Sequence, residues 1–117
     1  METPRIVKSA VLAALGAGSL LWAASCATTE DLAPPVNEEM VDLAAREGTD
    51  VDSLRRGRHI YVTRCAACHS PEPVGDYPVA DWPGIVRRMA DRTGLSESET
   101  EDVIAYVTAA HQCGADR

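Results

Sequence analysis

Hydrophobic side chains recur every three or four positions in four stretches of the chain after residue 36, and this spacing predicts amphipathic helices. The first extends from Asn37 to Glu47 and stops at Gly48. The second begins at a cap formed by Asp52 or Ser53 and continues towards Cys65. It runs through Leu54, Gly57, Ile60 and Tyr61.

A loop rich in proline and glycine follows, and its prolines lack the backbone donors that regular structure needs. Asp81 is the predicted cap of the third helix, which carries Pro83 in its first turn and ends at Gly94. The apolar face of this helix comprises Trp82, Ile85, Val86 and Met89.

The last helix is predicted to begin at a capping box formed by Ser96 and Glu99 and to end at Gly114. Its buried stripe comprises Val103, Ile104 and Val107. No convincing two-residue alternation predicts a strand. The predicted fold class is therefore all-α, a small helical bundle.

The N-terminal pattern is typical of a secretory signal peptide over residues 1–25, with Arg5 and Lys8 ahead of an apolar stretch. That stretch is shorter than the roughly 20 residues of a spanning helix, which disfavours a permanent transmembrane anchor. Residues 20–26 resemble a bacterial lipobox, so we expect Cys26 to be acylated and to hold the mature chain on the membrane. Cleavage by an ordinary signal peptidase at the same small residues is the alternative.

The segment from residue 26 to residue 36 is polar and contains Pro34 and Pro35, which is typical of a flexible tether. Residues 37–117 then form one small domain. The chain has no Phe and few other aromatic residues, so a large apolar cofactor would be the main object in its core.

The formal charge of −7 makes nucleic acid an unsuitable partner. Most of the arginines form two groups. The first precedes residue 65 and contains Arg55, Arg56, Arg58 and Arg64. The second contains Arg87, Arg88 and Arg92. Such groups could steer an acidic redox partner, or they could simply lie on solvated helix faces.

The run Cys65-Ala66-Ala67-Cys68-His69 is a CxxCH motif, the pattern of covalent haem c attachment. Two thiols on one helical turn can each bond a vinyl group of the haem, and the adjoining His69 can then bind the iron. A zinc site that recruits His59, His111 or Cys113 is the first alternative, but the chain lacks the second closely spaced pair that such sites usually have. A thioredoxin-like dithiol is the second, and no strand flanks the motif.

Met89 is the predicted sixth ligand of the iron. It follows the motif in the chain and lies on the apolar face of the third predicted helix. The competing interpretation is that Met89 only fills the core. His111, His59 and Met40 are the rival ligands. The loop after His69 is expected to offer a carbonyl that orients the imidazole.

These residues carry a resemblance to class I cytochromes c. Gly57 and Tyr61 precede Cys65 at the offsets of that family's first helix, and Tyr106 lies in a segment that resembles its last helix. The resemblance covers roughly residues 53–112 and implies a compact bundle around one haem, with the last helix crossing the first at the glycine. Members commonly place a longer segment between the two iron ligands than the one between His69 and Met89.

The sequence thus predicts a monohaem cytochrome c that carries one electron between redox partner proteins on the periplasmic side of the cell envelope, anchored through a lipid at Cys26. It is predicted not to be an enzyme and to bind no small-molecule substrate. Two alternatives stay open. One is the haem subunit of a larger periplasmic dehydrogenase, and the other is an open-site sensor or peroxidase-like protein with Arg87 and Arg88 as distal polar groups.

Overall fold

The computed structural model describes residues 28–115, and all regular secondary structure within that range is helical. Its helices are α1 (Thr29–Leu32), α2 (Glu38–Arg46), α3 (Val51–Thr63), α4 (Trp82–Thr93) and α5 (Glu97–Ala115). Two short 3₁₀ turns, Cys65–Ala67 and Val79–Asp81, precede and follow the proline-containing loop. The predicted all-α fold is confirmed. The predicted signal peptide and Cys26 lie outside the described residues.

The start of α3 differs from the prediction. Asp50, not Asp52 or Ser53, is the N-cap, and its carboxylate accepts a hydrogen bond from the Ser53 backbone at 2.8 Å. Ser53 therefore already lies in the first turn, where its N–H needs the acceptor that Asp50 provides. Helix α2 follows the prediction, since Asn37 caps it and Gly48, at φ +78°, follows its last turn.

The predicted ends of α4 and α5 are partly correct. Gly94 ends α4 in the left-handed conformation, and the Ser96–Glu99 capping box is present with hydrogen bonds of 2.8 and 3.2 Å. Asp81 immediately precedes α4 but makes no capping hydrogen bond, because its backbone is already helical within the 3₁₀ turn. Gly114 does not stop α5, which continues to Ala115.

Helices α3 and α5 cross in direct contact at Gly57. A Cβ atom on Gly57 would lie 2.0 Å from the carbonyl oxygen of Asp102 and 2.9 Å from Cβ of Tyr106. The crossing thus requires a residue without a side chain. The core around it includes Leu54, Ile60, Tyr61, Val103, Tyr106 and Val107, whereas Ile104 of the predicted stripe is only half-buried.

An ion pair lies beside this crossing. Arg56 donates from Nε and Nη2 to the Asp102 carboxylate at 2.8 and 3.3 Å. The Asp102 side chain is only 9% exposed, whereas that of Arg56 is 55% exposed. The pair therefore satisfies a buried carboxylate from the solvent side, and it joins α3 to α5.

Part of the predicted tether packs on the domain. Ala33 is fully buried, and the Pro34 carbonyl accepts a hydrogen bond from the Tyr106 hydroxyl at 2.7 Å. Arg58 donates to the Ala33 and Pro34 carbonyls at 3.1–3.2 Å. Ala33 and Pro34, which the sequence analysis placed in the flexible tether of residues 26–36, are therefore part of the packed domain.

None of the helices within residues 28–115 combines the length and the apolar character that crossing a bilayer demands.

We expect Gly57→Ala to destabilise the protein by about 3 kcal/mol, because the new methyl group would overlap the α5 backbone. Gly114→Ala is the matched control, since nothing lies within 4 Å of a Cβ at that position in α5. There, alanine should leave stability unchanged or raise it by about 0.5 kcal/mol through its better helix propensity. Urea unfolding followed by circular dichroism measures both, and equal stability of the two variants would contradict the close crossing.

Candidate cofactor site

A cavity of about 770 Å³ lies between α4, the 65–69 turn and the loop that follows it. This volume lies within the range of known cofactor pockets, which are mostly apolar with a few convergent polar groups. The side chains around it fit that description. The apolar and aromatic ones include Tyr61, Pro71, Tyr77, Trp82, Ile85, Val86 and Val103.

Cys65, Cys68 and His69 all line this cavity. Cys65 lies in the 3₁₀ turn directly after α3 and is half-buried, and Cys68 and His69 are exposed. Burial raises the pKa of the Cys65 thiol, and the nearby Arg64 charge opposes this effect only in part. The motif was expected on one α-helical turn. Instead α3 ends at Thr63, and the tighter turn presents the two cysteines to the same cavity.

The imidazole of His69 is oriented by its neighbour in the chain. Nδ1 lies 2.8 Å from the Ser70 carbonyl oxygen, which is the geometry of an Nδ1–H donor. This tautomer leaves the lone pair of Nε2 available to a metal ion. The loop was predicted to provide an orienting carbonyl, and the structure identifies it as that of Ser70.

Met89 lines the cavity from α4 and is half-buried. Ile85 and Trp82, on the same predicted face, line it as well. The rival ligands lie elsewhere. Met40 is fully buried in the core, His59 is exposed on α3 and His111 is half-buried on α5, and none of them lines the cavity.

Aromatic side chains form one part of the cavity wall and fix the loop beside it. Tyr61 packs edge-on against Trp82 with ring centroids 6.1 Å apart, and Tyr77 packs against the same indole at 5.6 Å. The Tyr61 hydroxyl donates to the Glu72 carbonyl, and Trp82 Nε1 donates to the Val74 carbonyl at 3.0 Å. Burial raises the pKa of Tyr61, so this hydroxyl remains a neutral donor.

The arginines do not form one basic patch. Arg55, Arg56, Arg64 and Arg87 each pair with a carboxylate, and Arg58 binds backbone carbonyls. Arg88 and Arg92 line the cavity together with the acidic residues Glu72 and Asp81. The charge at the cavity is therefore mixed, which weakens the interpretation of these arginines as a steering surface.

The sequence analysis did not predict that several residues line the cavity, namely Tyr77, Arg92, Thr93 and Val103. Tyr77 lies in an irregular loop, so no helical spacing could place it near Trp82. Thr93 and Arg92 do follow Met89 at the spacing of one turn, and that periodicity could have indicated them.

Three or more His, Cys, Asp or Glu side chains do not gather into a metal-binding group anywhere in residues 28–115. His59, His111 and Cys113, the extra ligands of the zinc alternative, do not line the cavity that Cys65 and Cys68 share.

Comparison with known proteins gives one partial similarity. Over 44 residues, covering 38% of the chain, the sequence is 41% identical to the cytochrome c-type protein TorY of Escherichia coli O157:H7. The match spans only 12% of that much longer relative. No protein-family model and no solved structure matches the chain.

We expect Tyr61→Phe to release the loop that lines the cavity, because it removes the hydroxyl that binds the Glu72 carbonyl. Tyr106→Phe is the matched control, since its hydroxyl binds the Pro34 carbonyl instead. Each variant should lose about 1 kcal/mol of stability. Only Tyr61→Phe should speed amide hydrogen exchange in residues 70–78, and equal exchange in the two variants would show that Tyr61 does not hold the loop.

Proposed function

We propose that this protein is a monohaem c-type cytochrome that carries single electrons on the periplasmic side of the cell envelope. The observation that carries the proposal is that Cys65, Cys68, His69 and Met89 line one cavity of cofactor size. The partial similarity to a cytochrome c-type protein supports the same class of cofactor. Electron transfer, rather than conversion of a substrate, is the function that this class implies.

The residues around the cavity fit a haem. Cys65 and Cys68 would hold it through thioether bonds, and His69 would bind the iron through the nitrogen that Ser70 leaves available. Met89 would bind the iron from α4. Bound haem supplies an iron that alternates between the ferrous and ferric states.

Two further features of the chain bear on electron transfer, and these are the apolar side chains beside the cavity and the pair of proposed iron ligands. The apolar side chains of Tyr61, Trp82 and Ile85 would lie against the cofactor and lower the dielectric constant on that side. The two proposed iron ligands come from separate elements, the turn after α3 and helix α4. A histidine and methionine pair gives a higher reduction potential than more basic ligands.

We further propose that Cys26 is acylated, which would keep the protein on the membrane and close to its redox partner proteins. Support for this comes from the signal-peptide pattern and the lipobox resemblance of residues 20–26. The folded part begins to pack at Ala33, so the intervening residues would form the tether.

Mass spectrometry of the exported protein tests both attachments. When the chain is matured beside the haem-ligation machinery, we expect a mature protein that begins at an acylated Cys26 and carries one haem. Replacing both Cys65 and Cys68 by Ser should abolish the covalent haem mass, whereas Cys113→Ser should retain it, because Cys113 lies in the core and not in the cavity wall. A colourless wild-type protein would overturn the proposed function. An unmodified Cys26 would overturn the anchor alone.

The two methionines of the described domain provide a matched test of the sixth ligand. Met89→Leu and Met40→Leu each replace a sulfur by an apolar side chain of similar volume, at a stability cost below about 1.5 kcal/mol. Only Met89→Leu should lose the low-spin ferric spectrum and lower the reduction potential, because Met40 is buried away from the cavity. A low-spin spectrum and unchanged potential in Met89→Leu would show that another group binds the iron.

A further inference from the structure

The guanidinium group of Arg64 joins three elements at the cavity. Arg64 immediately precedes Cys65, and its Nη1 donates to Glu99 Oε1 on α5 at 2.8 Å. Its Nη2 donates to the Thr93 carbonyl at 2.9 Å and to the Gly94 carbonyl at 3.2 Å. Carbonyls at the C-terminal end of a helix lack intrahelical partners, so a cation there satisfies them and complements the helix dipole.

The contacts continue from Thr93 to Met89. The Thr93 hydroxyl donates to the Met89 carbonyl at 3.0 Å, and both side chains line the cavity. Cys65, Arg64, Thr93 and Met89 are thus joined in series by covalent or hydrogen bonds. Within residues 28–115, no other hydrogen bond connects residues 64–69 to α4 or to Gly94, which ends it.

Glu99 is itself held in place. It accepts a hydrogen bond from the Ser96 backbone at 2.8 Å with Oε2, which leaves Oε1 for Arg64. The hydrogen bonds from Ser96 lower the pKa of Glu99, and the Arg64 charge contributes further, so the carboxylate is ionised at neutral pH. The anchor for Arg64 is therefore a fixed and charged capping box at the start of α5.

We propose that Arg64 is a positioning residue that sets how firmly Met89 is held as the sixth ligand of the iron. This inference rests on the proposed function. Arg64 fixes the last turn of α4 relative to the turn that carries the attachment cysteines. Met89 would then be offered to the iron from a preorganised helix, and an external ligand would have to displace its side chain from that helix.

Binding of imidazole to the ferric protein at about pH 8 measures this effect, since imidazole competes with the methionine sulfur and is mostly uncharged above its own pKa. We expect Arg64→Gln to bind imidazole about tenfold more tightly than the wild type, a factor equivalent to about 1.4 kcal/mol. Arg64→Lys keeps the charge but loses the forked geometry, so its affinity should be intermediate. Glu99→Gln preserves the capping box, weakens the ion pair and should shift the affinity in the same direction.

Two controls separate positioning from charge and from general stability. Arg55→Gln removes the same charge from α3, but Arg55 pairs only with the nearby exposed Asp52, so imidazole affinity should stay at the wild-type value. Tyr106→Phe loses a hydrogen bond to Pro34, away from the cavity wall, and should lower the unfolding free energy without changing imidazole affinity.

The outcomes distinguish the inference from the function on which it rests. In one outcome, Met89→Leu binds imidazole far more tightly than the wild type, but the Arg64 and Glu99 variants have the same imidazole affinity as the Arg55→Gln control. The positioning role of Arg64 is then wrong, and Met89 remains the ligand. If Tyr106→Phe strengthens imidazole binding as much as Arg64→Gln does, the effect is general destabilisation, and the positioning role is again wrong. If the wild type already binds imidazole as tightly as Met89→Leu, ligation by Met89 fails, and the role of Arg64 fails with it.

Discussion

The close crossing of α3 and α5 at Gly57 is the constraint on which the other features depend. Because no side chain separates the two backbones there, α5 can place Tyr106 against Tyr61, with ring centroids 6.1 Å apart. Tyr61 lies one turn before Cys65, so the crossing also fixes where the turn that carries the cysteines begins. A glycine on α3 thus fixes the position of the turn that carries the cysteines, which begins about two helical turns further along the chain.

The cavity wall is built by a different means from the crossing. Residues 70–78 have no regular structure, and several prolines among them cannot donate backbone hydrogen bonds. Side-chain donors on the helices take over that role, since Tyr61 and Trp82 bind carbonyls of Glu72 and Val74. The aromatic residues that face the cavity therefore also hold the loop that completes it. A chain of this size, without phenylalanine, obtains two structural roles from each of these few rings.

Local sequence patterns predicted much of this arrangement. The Ser96–Glu99 capping box, the stop at Gly94 and the apolar face of α4 each depend on residues no more than four positions from the next, and all three were correct. Gly57 was recognised from its offset to the motif, although its reason, contact with the Asp102 backbone, lies in α5. Arg64 was grouped only as a basic residue. Its partners are 29 to 35 positions away and include main-chain carbonyls, which leave no trace in side-chain identity.

Ala33 and Pro34 are held on the domain by Arg58 and Tyr106, and this limits how far the domain can lie from residue 26. Residues 26–32 can span at most about 25 Å when fully extended. The short helix α1 reduces this maximum distance further. Where Cys26 carries the proposed lipid, the chain would leave the globule from a fixed point on α3 and α5, within roughly one domain diameter of the bilayer. The domain, and with it the cavity, would then move only within a narrow layer at the membrane surface, and it would meet neighbouring proteins there.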